Sequence, residues 1–350
     1  MSDTSKSTIL RLRRESRAFA AMRRRLERKV PSNEVKLVIS FAEIFLSKAT
    51  ESFLQKRSPD ALAHMTLGAW RFLQSADPED VDVQVFNPDA DNEGWHAPVT
   101  VLRTNISERP FVIDTLREFL HSQDFSVEHM VYPVIHIVRD DEGKVVDVQA
   151  SEEGDHRESL VHCEINQMTD IENRDALKNE IKMRLGDVTR VTDDFDSMLN
   201  RLDDTVVDLN RRAKESPQLS DDLVETGEFF SWLREGAFVF LGSCTYVRNS
   251  VKKMEMEPDS TLGFLRVLKG KERTSLEELK LEMDALVHEG PNLVVTKINT
   301  RATVHRLSRL DYIGLKRLDE KGELLDETIF LGLFTSKVEV ESAEDIPILR

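Results

Sequence analysis

The side chains best suited by type and spacing to do chemistry fall in two short stretches. The first is Asn105 to Arg109, followed by Pro110 and then by Asp114. A proline early in a first turn marks a helix start, and the free backbone N–H groups at such an end attract a carboxylate. Asn105 and Ser107 can add hydrogen bonds, and the Arg109 guanidinium can hold a carboxylate in a bidentate pair. Pro110 removes one donor and Ser107 equally suits turn chemistry, so the stretch reads either as a ligand site or as a shaped turn. Asp114 reads either as a functional carboxylate or as an acid favouring the helix dipole, worth about 0.3 to 1 kcal/mol. The second stretch is Thr300 to Leu307, read as a strand. Alternation puts Arg301, Thr303 and His305 on one face, and Ala302, Val304 and Arg306 on the other. Arg301, Thr303, His305 and Arg306 are candidates for docking a neighbouring domain, or else a solvated surface with ion pairs of about 0 to 1 kcal/mol.

Other chemistries are not announced. No GxGxxG, GxxxxGK[ST] or HExxH string occurs, so the phosphate cradles and zinc site those motifs build are missing from the sequence. The closest His and Cys are the adjacent His162 and Cys163, which a strand would point to opposite faces, so no metal site is expected. Cys163 and Cys244 are the only cysteines, which excludes a disulfide framework or a CxxC pair and fits a reducing cytoplasm.

The elements that must position these residues are legible from periodicity. Pro31-Ser32-Asn33 starts a helix carrying Val38, Phe41, Phe45, Ala49 and Phe53, and Ser58-Pro59-Asp60 starts a second carrying Leu62, Met65, Ala69, Phe72 and Leu73. Residues 31–80 therefore read as a helical hairpin. Val81 to Val85 alternates as a strand, Val99 to Ile106 is a second, and Pro110 to Leu120 is a helix. Val131 to Val138 and Val145 to Val148 flank a glycine turn, and Leu160 to Ile165 is the next strand. This order matches a ferredoxin-like antiparallel sheet with helices on one face over residues 81–186.

Ile181, Leu185, Val188, Thr192, Phe195, Leu199, Leu202, Val206 and Leu209 alternate steps of four and three, a heptad seam over a connector at 187–215. It reads either as a subunit contact or as a helix packed on its own domain. Gly186-Asp187 and Thr192-Asp193-Asp194 are the two points at which it can break. Beyond Ser216-Pro217, a helix at 222–232, a strand at 237–241, a helix at 276–287 and strands at 293–298, 302–307, 312–317 and 328–335 make residues 216–350 a second antiparallel α+β domain. Its one covered face is of the PAS-like kind.

The 350 residues can form two cores, and a net charge of −16 disfavours a general nucleic-acid or anionic-membrane surface. The charge is uneven: residues 1–30 hold ten Lys or Arg against three acids, leaving −23 on the remainder. That basic arm reads as a nucleic-acid or transit segment, or as a partly helical arm lying on the acidic body. No apolar run reaches the roughly 20 residues of a membrane helix.

Thr296 to Arg306 (T-K-I-N-T-R-A-T-V-H-R), Ile329 to Ser336 (I-F-L-G-L-F-T-S), Asp311-Tyr312-Ile313-Gly314, Lys316 and the closing Ile346-Pro347-Ile348-Leu349-Arg350 resemble the N-terminal segment of the large bacterial NAD-specific glutamate dehydrogenases. Val85-Phe86-Asn87-Pro88, Gly94-Trp95, Pro110-Phe111 with Asp114, and His162 to Asn166 extend the resemblance back to about Val81. The resemblance implies an ACT-like domain, whose β-to-α turn often contacts an amino-acid effector, then a PAS-like domain. Here Asn105 to Arg109 departs from the more acidic loop of the family. The resemblance also implies a homo-oligomer and a full-length enzyme converting L-glutamate and NAD to 2-oxoglutarate and ammonium. The dehydrogenase centre would lie in the remainder of that chain. This segment would then be a fragment with no cofactor and no activity of its own. The rival reading is a stand-alone amino-acid sensor or adaptor.

Overall fold

A computed structural model describes residues 17–77, 79–149, 156–269, 275–287, 291–319, 322–340, 344 and 346–348. The chain divides into two compact units, Met1–Gly186 and Asp187–Arg350. Both are α+β, each built on an antiparallel sheet.

The first unit opens with helices α1 (Arg17–Lys29), α2 (Val35–Phe45), the short α3 (Glu51–Gln55) and α4 (Pro59–Ser75). The single helix expected through Ala49 and Phe53 is interrupted. A 3₁₀ turn follows α2 at Leu46–Lys48, Ala49 is extended, and the Thr50 side chain accepts the Phe53 N–H at 3.2 Å to restart the chain as α3. Ala49 and Phe53 are still buried, so the apolar spacing survives the break. Ser58 caps α4 in the same way, accepting from the Ala61 N–H.

The sheet comprises β1 (Asp82–Phe86), β2 (Val99–Ser107), β3 (Val127–Val131), β4 (Val134–Arg139), β5 (Val145–Gln149) and β6 (Arg157–Asn166). Its order is β1-β2-β6-β4-β5, with β3 also on β6. The single strand expected at Val131 to Val138 is two, parted at Tyr132-Pro133, where proline has no N–H to give a ladder. Strands β2 and β6 are central and buried on both faces. One face, with Val99, Val101, Leu160, Ile135 and Ile137, joins Phe41, Phe45, Phe53, Met65, Trp70 and their neighbours from the four helices in one apolar cluster. Helix α5 (Val112–Ser122) leaves β2 through a turn and buries Val112, Leu116, Phe119 and Leu120.

Helix α6 (Ile171–Asp193) runs through Gly186 and Asp187 without a break, and the chain turns only at Asp194 before α7 (Phe195–Glu215). The heptad seam is therefore interrupted at that joint, and beyond it packs within its own unit. Phe195 is 43% exposed, whereas Met198, Leu202 and Leu209 pack with Phe229 and Phe230 of α8 (Ser220–Trp232) in the core of their own unit. The Asp194 carboxylate fixes the joint by accepting the Gly263 N–H at 2.8 Å and pairing with Arg266 at 3.2 Å.

The second sheet comprises β7 (Phe238–Arg248), β8 (Met254–Met256), β9 (Leu262–Gly263), β10 (Leu293–Arg301), β11 (Arg309–Leu318) and β12 (Leu324–Phe334), in the order β10-β11-β12-β7-β8 with β9 on β7. Helix α9 (Ser275–Val287) lies between β9 and β10 in sequence and buries Leu279, Met283 and Val287. A short helix α10 (Lys337–Val340) follows β12. Residues 302–307 are not a strand. β10 stops at Arg301, the chain bends, and the Ala302 N–H donates to Ser308 O at 2.9 Å before β11 begins.

Candidate functional site

Of the four residues expected to share an effector site, Asn105 parts from Ser107 and Arg109 on folding. Asn105 lies inside β2, fully buried, because the strand continues two residues past it to Ser107. Only Glu108 to Pro110 forms the turn. It is pinned by the Glu108 N–H donating to Arg157 O at 2.8 Å and by Arg109 Nε donating to Ser107 O at 3.3 Å. The helix starts at Val112, and its cap, Phe111, sits in the left-handed region at φ 71°. Asp114 is exposed in the first turn of α5. Burial pushes the Glu108 carboxyl above its ordinary range, against the Arg157 charge and a Ser159 hydrogen bond.

Asn105 belongs instead to a buried ionic belt that sequence reasoning missed. Register places Arg103 opposite His162 and Val101 opposite Glu164, so these side chains share the face beneath the N-terminal helices. Glu93 holds Arg103 at 3.0 Å, and Arg103 Nε points at His162 Nδ1 at 3.5 Å. His162 Nε2 meets Glu164 Oε1 at 3.4 Å, and Glu164 pairs with Arg57, next to α3. A donor at Nδ1 and an acceptor at Nε2 define a neutral imidazole with its proton on Nε2. Burial lowers the His162 pKa in agreement. For Glu164 burial acts upward but is outweighed by the His162 hydrogen bond and the Arg57 charge, so its carboxyl stays below the usual range. Phe45 and Phe53 present edge-on contacts to the imidazole at 5.8 and 6.5 Å.

The other half of the belt joins Asn105 Nδ2 to Glu158 Oε2, with Arg139 clamping Glu158 at 3.0 Å and also donating to Leu73 O of α4 at 3.1 Å. Gly68 of α4 makes room for the first half: a Cβ there would lie 2.4 Å from Glu93 Oε2 and 2.8 Å from Arg103 Nη2. The belt thus ties helices to sheet by charge. The two cysteines, Cys163 of the first unit and Cys244 of the second, are buried and their thiols pushed up to about 12, far from a nucleophile's range. Among the described residues no group of three or more His, Cys, Asp or Glu could hold a metal ion.

The docking candidates occupy the bend of the second unit. Ala302 and Val304 are buried, and Thr303 Oγ1 donates to the buried Asp187 carboxylate at 2.6 Å, which Arg190 also holds at 2.9 Å. His305 takes φ 67°, Arg301 donates to Leu307 O at 3.3 Å, and Arg306 donates to Phe334 O at 2.7 Å. The alternating strand face predicted for them is thereby replaced by a tight bend. Its apolar residues point in, and its cations bond backbone carbonyls.

One further cluster crosses the second sheet. Register aligns Tyr246, Glu327 and Lys316 on adjacent strands, and Tyr312 stands four residues before Lys316 on the same strand. The Tyr312 hydroxyl donates to Glu327 Oε1 at 2.7 Å, and Tyr246 donates to Asp284 of α9 at 2.7 Å. Glu327 is fully buried and its Oε2 has no hydrogen-bond partner. Burial raises its pKa to about 7, against the Tyr312 hydrogen bond and the Lys316 charge. Gly314 is required beneath this pair, since a Cβ would come within 2.2 Å of Glu327 Oε1 and 2.7 Å of the Tyr312 ring.

Residues 41–181 match the family model described as glutamate dehydrogenase, ACT1 domain. The chain is 30% identical over 338 residues to the NAD-specific glutamate dehydrogenase of Halomonas elongata, covering 94% of this chain and 21% of that protein. The enzyme of the same name from Pseudomonas aeruginosa is 30% identical over 324 residues, covering 89% of this chain and 20% of that one. The chain therefore spans about one fifth of the length of these relatives. Among solved structures, an RNA-binding light-oxygen-voltage receptor aligns at a TM-score of 0.18 and 11% identity, over 85% of this chain and 87% of that one. A likeness that slight carries no argument. Among the described residues no helix is long and apolar enough to cross a membrane.

Proposed function

Because this chain carries a glutamate dehydrogenase ACT1 domain and resembles NAD-specific glutamate dehydrogenases along nearly its whole length, we propose that it is the N-terminal regulatory and assembly segment of such an enzyme. The observation that carries the proposal is the lopsided coverage, nearly all of this chain against a fifth of each relative. Oxidation of L-glutamate with NAD then belongs to the remainder of the longer polypeptide. The role of these two units is to bind an effector, to hold subunits together, or both, with coupling carried by rearrangement of packed elements.

The first unit reads as an ACT-like module. Its β2–β6–β4 ladder, joined through α5 and followed by α6, supports the ferredoxin-like reading, with β1 supplying the outer strand beside β2. For the second unit, numbering its main strands from β7 without the two-residue β9 gives the order 3-4-5-1-2. A helix falls between the second and third, an arrangement that supports the PAS-like reading. With Asn105 committed to the belt, the effector proposal centres on Ser107, Arg109 and the opening turn of α5 with Asp114. Arg301, Thr303, His305 and Arg306 remain a docking proposal for the rest of the enzyme, presented on a bend.

Calorimetric titration of the 350-residue chain with a panel of amino acids, beginning with glutamate, tests the proposal. Saturable binding that is lost in Arg109→Ala supports a sensor. Absence of binding by every amino acid removes the effector role and leaves assembly. Glutamate-dependent reduction of NAD by the chain alone contradicts the assignment of catalysis to the remainder.

A further inference from the structure

Helix α1 is held in one orientation. Phe19, Met22 and Leu26, at i, i+3 and i+7, are each no more than 2% exposed within the core of the first unit. The opposite stripe is consequently fixed outward, and it carries Arg17, Arg24 and Arg28, all exposed. The one acid on the helix, Glu27, is taken by Arg23 at 3.1 Å. Among the described residues none of the three stripe arginines has a carboxylate within ion-pair distance, although the chain as a whole carries −16. Arg24 and Arg28 stand one turn apart and repel. A fixed cationic face with no acidic partner among the described residues, on an acidic protein, calls for an acidic surface.

The chain itself supplies one of matching character. On the second unit, α7 and α8 pack together and expose Asp204, Asp221 and Asp222, which have no ion-pair partner among the described residues. Beside them Val207 is 68% and Val224 40% exposed. Val224, Trp232, Glu228 and Glu235 help to line a groove of about 480 Å³ whose lining residues include no cation. Helix α8 carries acids and no cation, and on α7 the exposed Arg211 is already paired with Asp208 and Glu215.

We propose that the basic stripe of α1 docks on the acidic α7–α8 face of a second copy of this chain. The contact is head-to-tail, because the two surfaces differ, so repetition either closes a ring or extends a line of subunits. The inference is argued from charge and exposure and rests on the assembly role proposed above, for which it names one surface; association that ignores these charges refutes this contact and leaves that role standing.

Sedimentation velocity of the 350-residue chain at about 50 mM and about 500 mM salt tests it, because exposed charges are strongly screened at the higher value. Association is expected at low salt, weakened at least about tenfold at high salt, and weakened comparably by Arg24→Glu with Arg28→Glu or by Asp204→Lys with Asp221→Lys. Combining all four substitutions should restore it, since like-charge repulsion becomes attraction again. Circular dichroism checks that each variant is folded. A chain that is monomeric at low salt overturns the proposal, as does association indifferent to both charge reversals or a combined variant no better than its parents. If the reversals change unfolding midpoints but not mass, the pairing is internal to one chain and the second-copy contact is refuted.

Discussion

Replacing Glu327 with Gln should turn a pH-sensitive sheet into a pH-indifferent one. In the folded protein the carboxyl is sealed between Tyr312 and the strand of Tyr246, with Oε2 unpartnered, and burial lifts its pKa from 4.5 to about 7. The folded state therefore binds the proton more tightly than the unfolded chain. The stabilising contribution is complete below about pH 4.5, is lost progressively as pH rises toward 7, and is gone above that. At 1.36 kcal/mol per pKa unit the full change is about 3 kcal/mol. Glutamine retains the shape and the acceptor for the Tyr312 hydroxyl but cannot ionise. Hydrogen-exchange protection of β11 and β12 amides reports this unit locally. Corrected for intrinsic rates, protection in the parent should fall between about pH 5 and 8 by up to about 3 kcal/mol of opening free energy, while Glu327→Gln stays level. At pH 8 the variant should be the better protected. Parallel curves for the two proteins would show that the Glu327 proton is not held as the burial implies.

Further outcomes follow from the first unit and the thiols. Alanine ordinarily favours a helix interior over glycine by about 1 kcal/mol, yet Gly68→Ala should destabilise the first unit, because the new methyl meets Glu93 and Arg103. A lowered urea midpoint checks the sign, and a raised one refutes the packing. Arg139→Ala strands the buried Glu158 and loses the bond to Leu73 O, so it should cost about 3 to 5 kcal/mol, whereas pairing it with Glu158→Gln should recover much of that. His162 has a folded pKa below its unfolded 6.5, so its neutral form contributes stability above that value which is lost as pH falls through it; His162→Gln should flatten the acid limb of the unfolding midpoint. A thiol reagent should label neither Cys163 nor Cys244 in the native state, and both only once unfolded.

Much of the fold is legible because burial imposes period. The spacing of Leu62, Met65, Ala69, Phe72 and Leu73 with Ser58 before it finds α4 and its start, and alternation finds β1 and β2. The same alternation misleads at Ala302 to Leu307. There a bend also buries Ala302 and Val304 while its backbone closes locally on Ser308. Distance from the break decides the helices too: Thr50 caps a restart that apolar spacing alone cannot reveal. The ionic belt is hidden for a different reason. Arg103, His162 and Glu164 look like the solvent face of half-buried strands, and only the register of two central strands, with helices over that face, makes them interior. The available signal was long-range, a cation on one strand and a His-x-Glu on another, each flanked by apolar residues. Composition places Asn105 in the turn, whereas pairing with β6 keeps it inside β2, because the end of a strand is fixed by its partner and not by its own composition.

The missing Cβ at position 68 has an evolutionary corollary. Helix α4 passes over the Arg103–Glu93 pair with no side chain at 68 to meet it, so positions 68, 93 and 103 constrain one another. A lineage that shortens Glu93 releases the constraint on 68, and one that enlarges 68 first must cross a destabilised intermediate. Among related sequences the three positions should therefore drift together or not at all, and in that order.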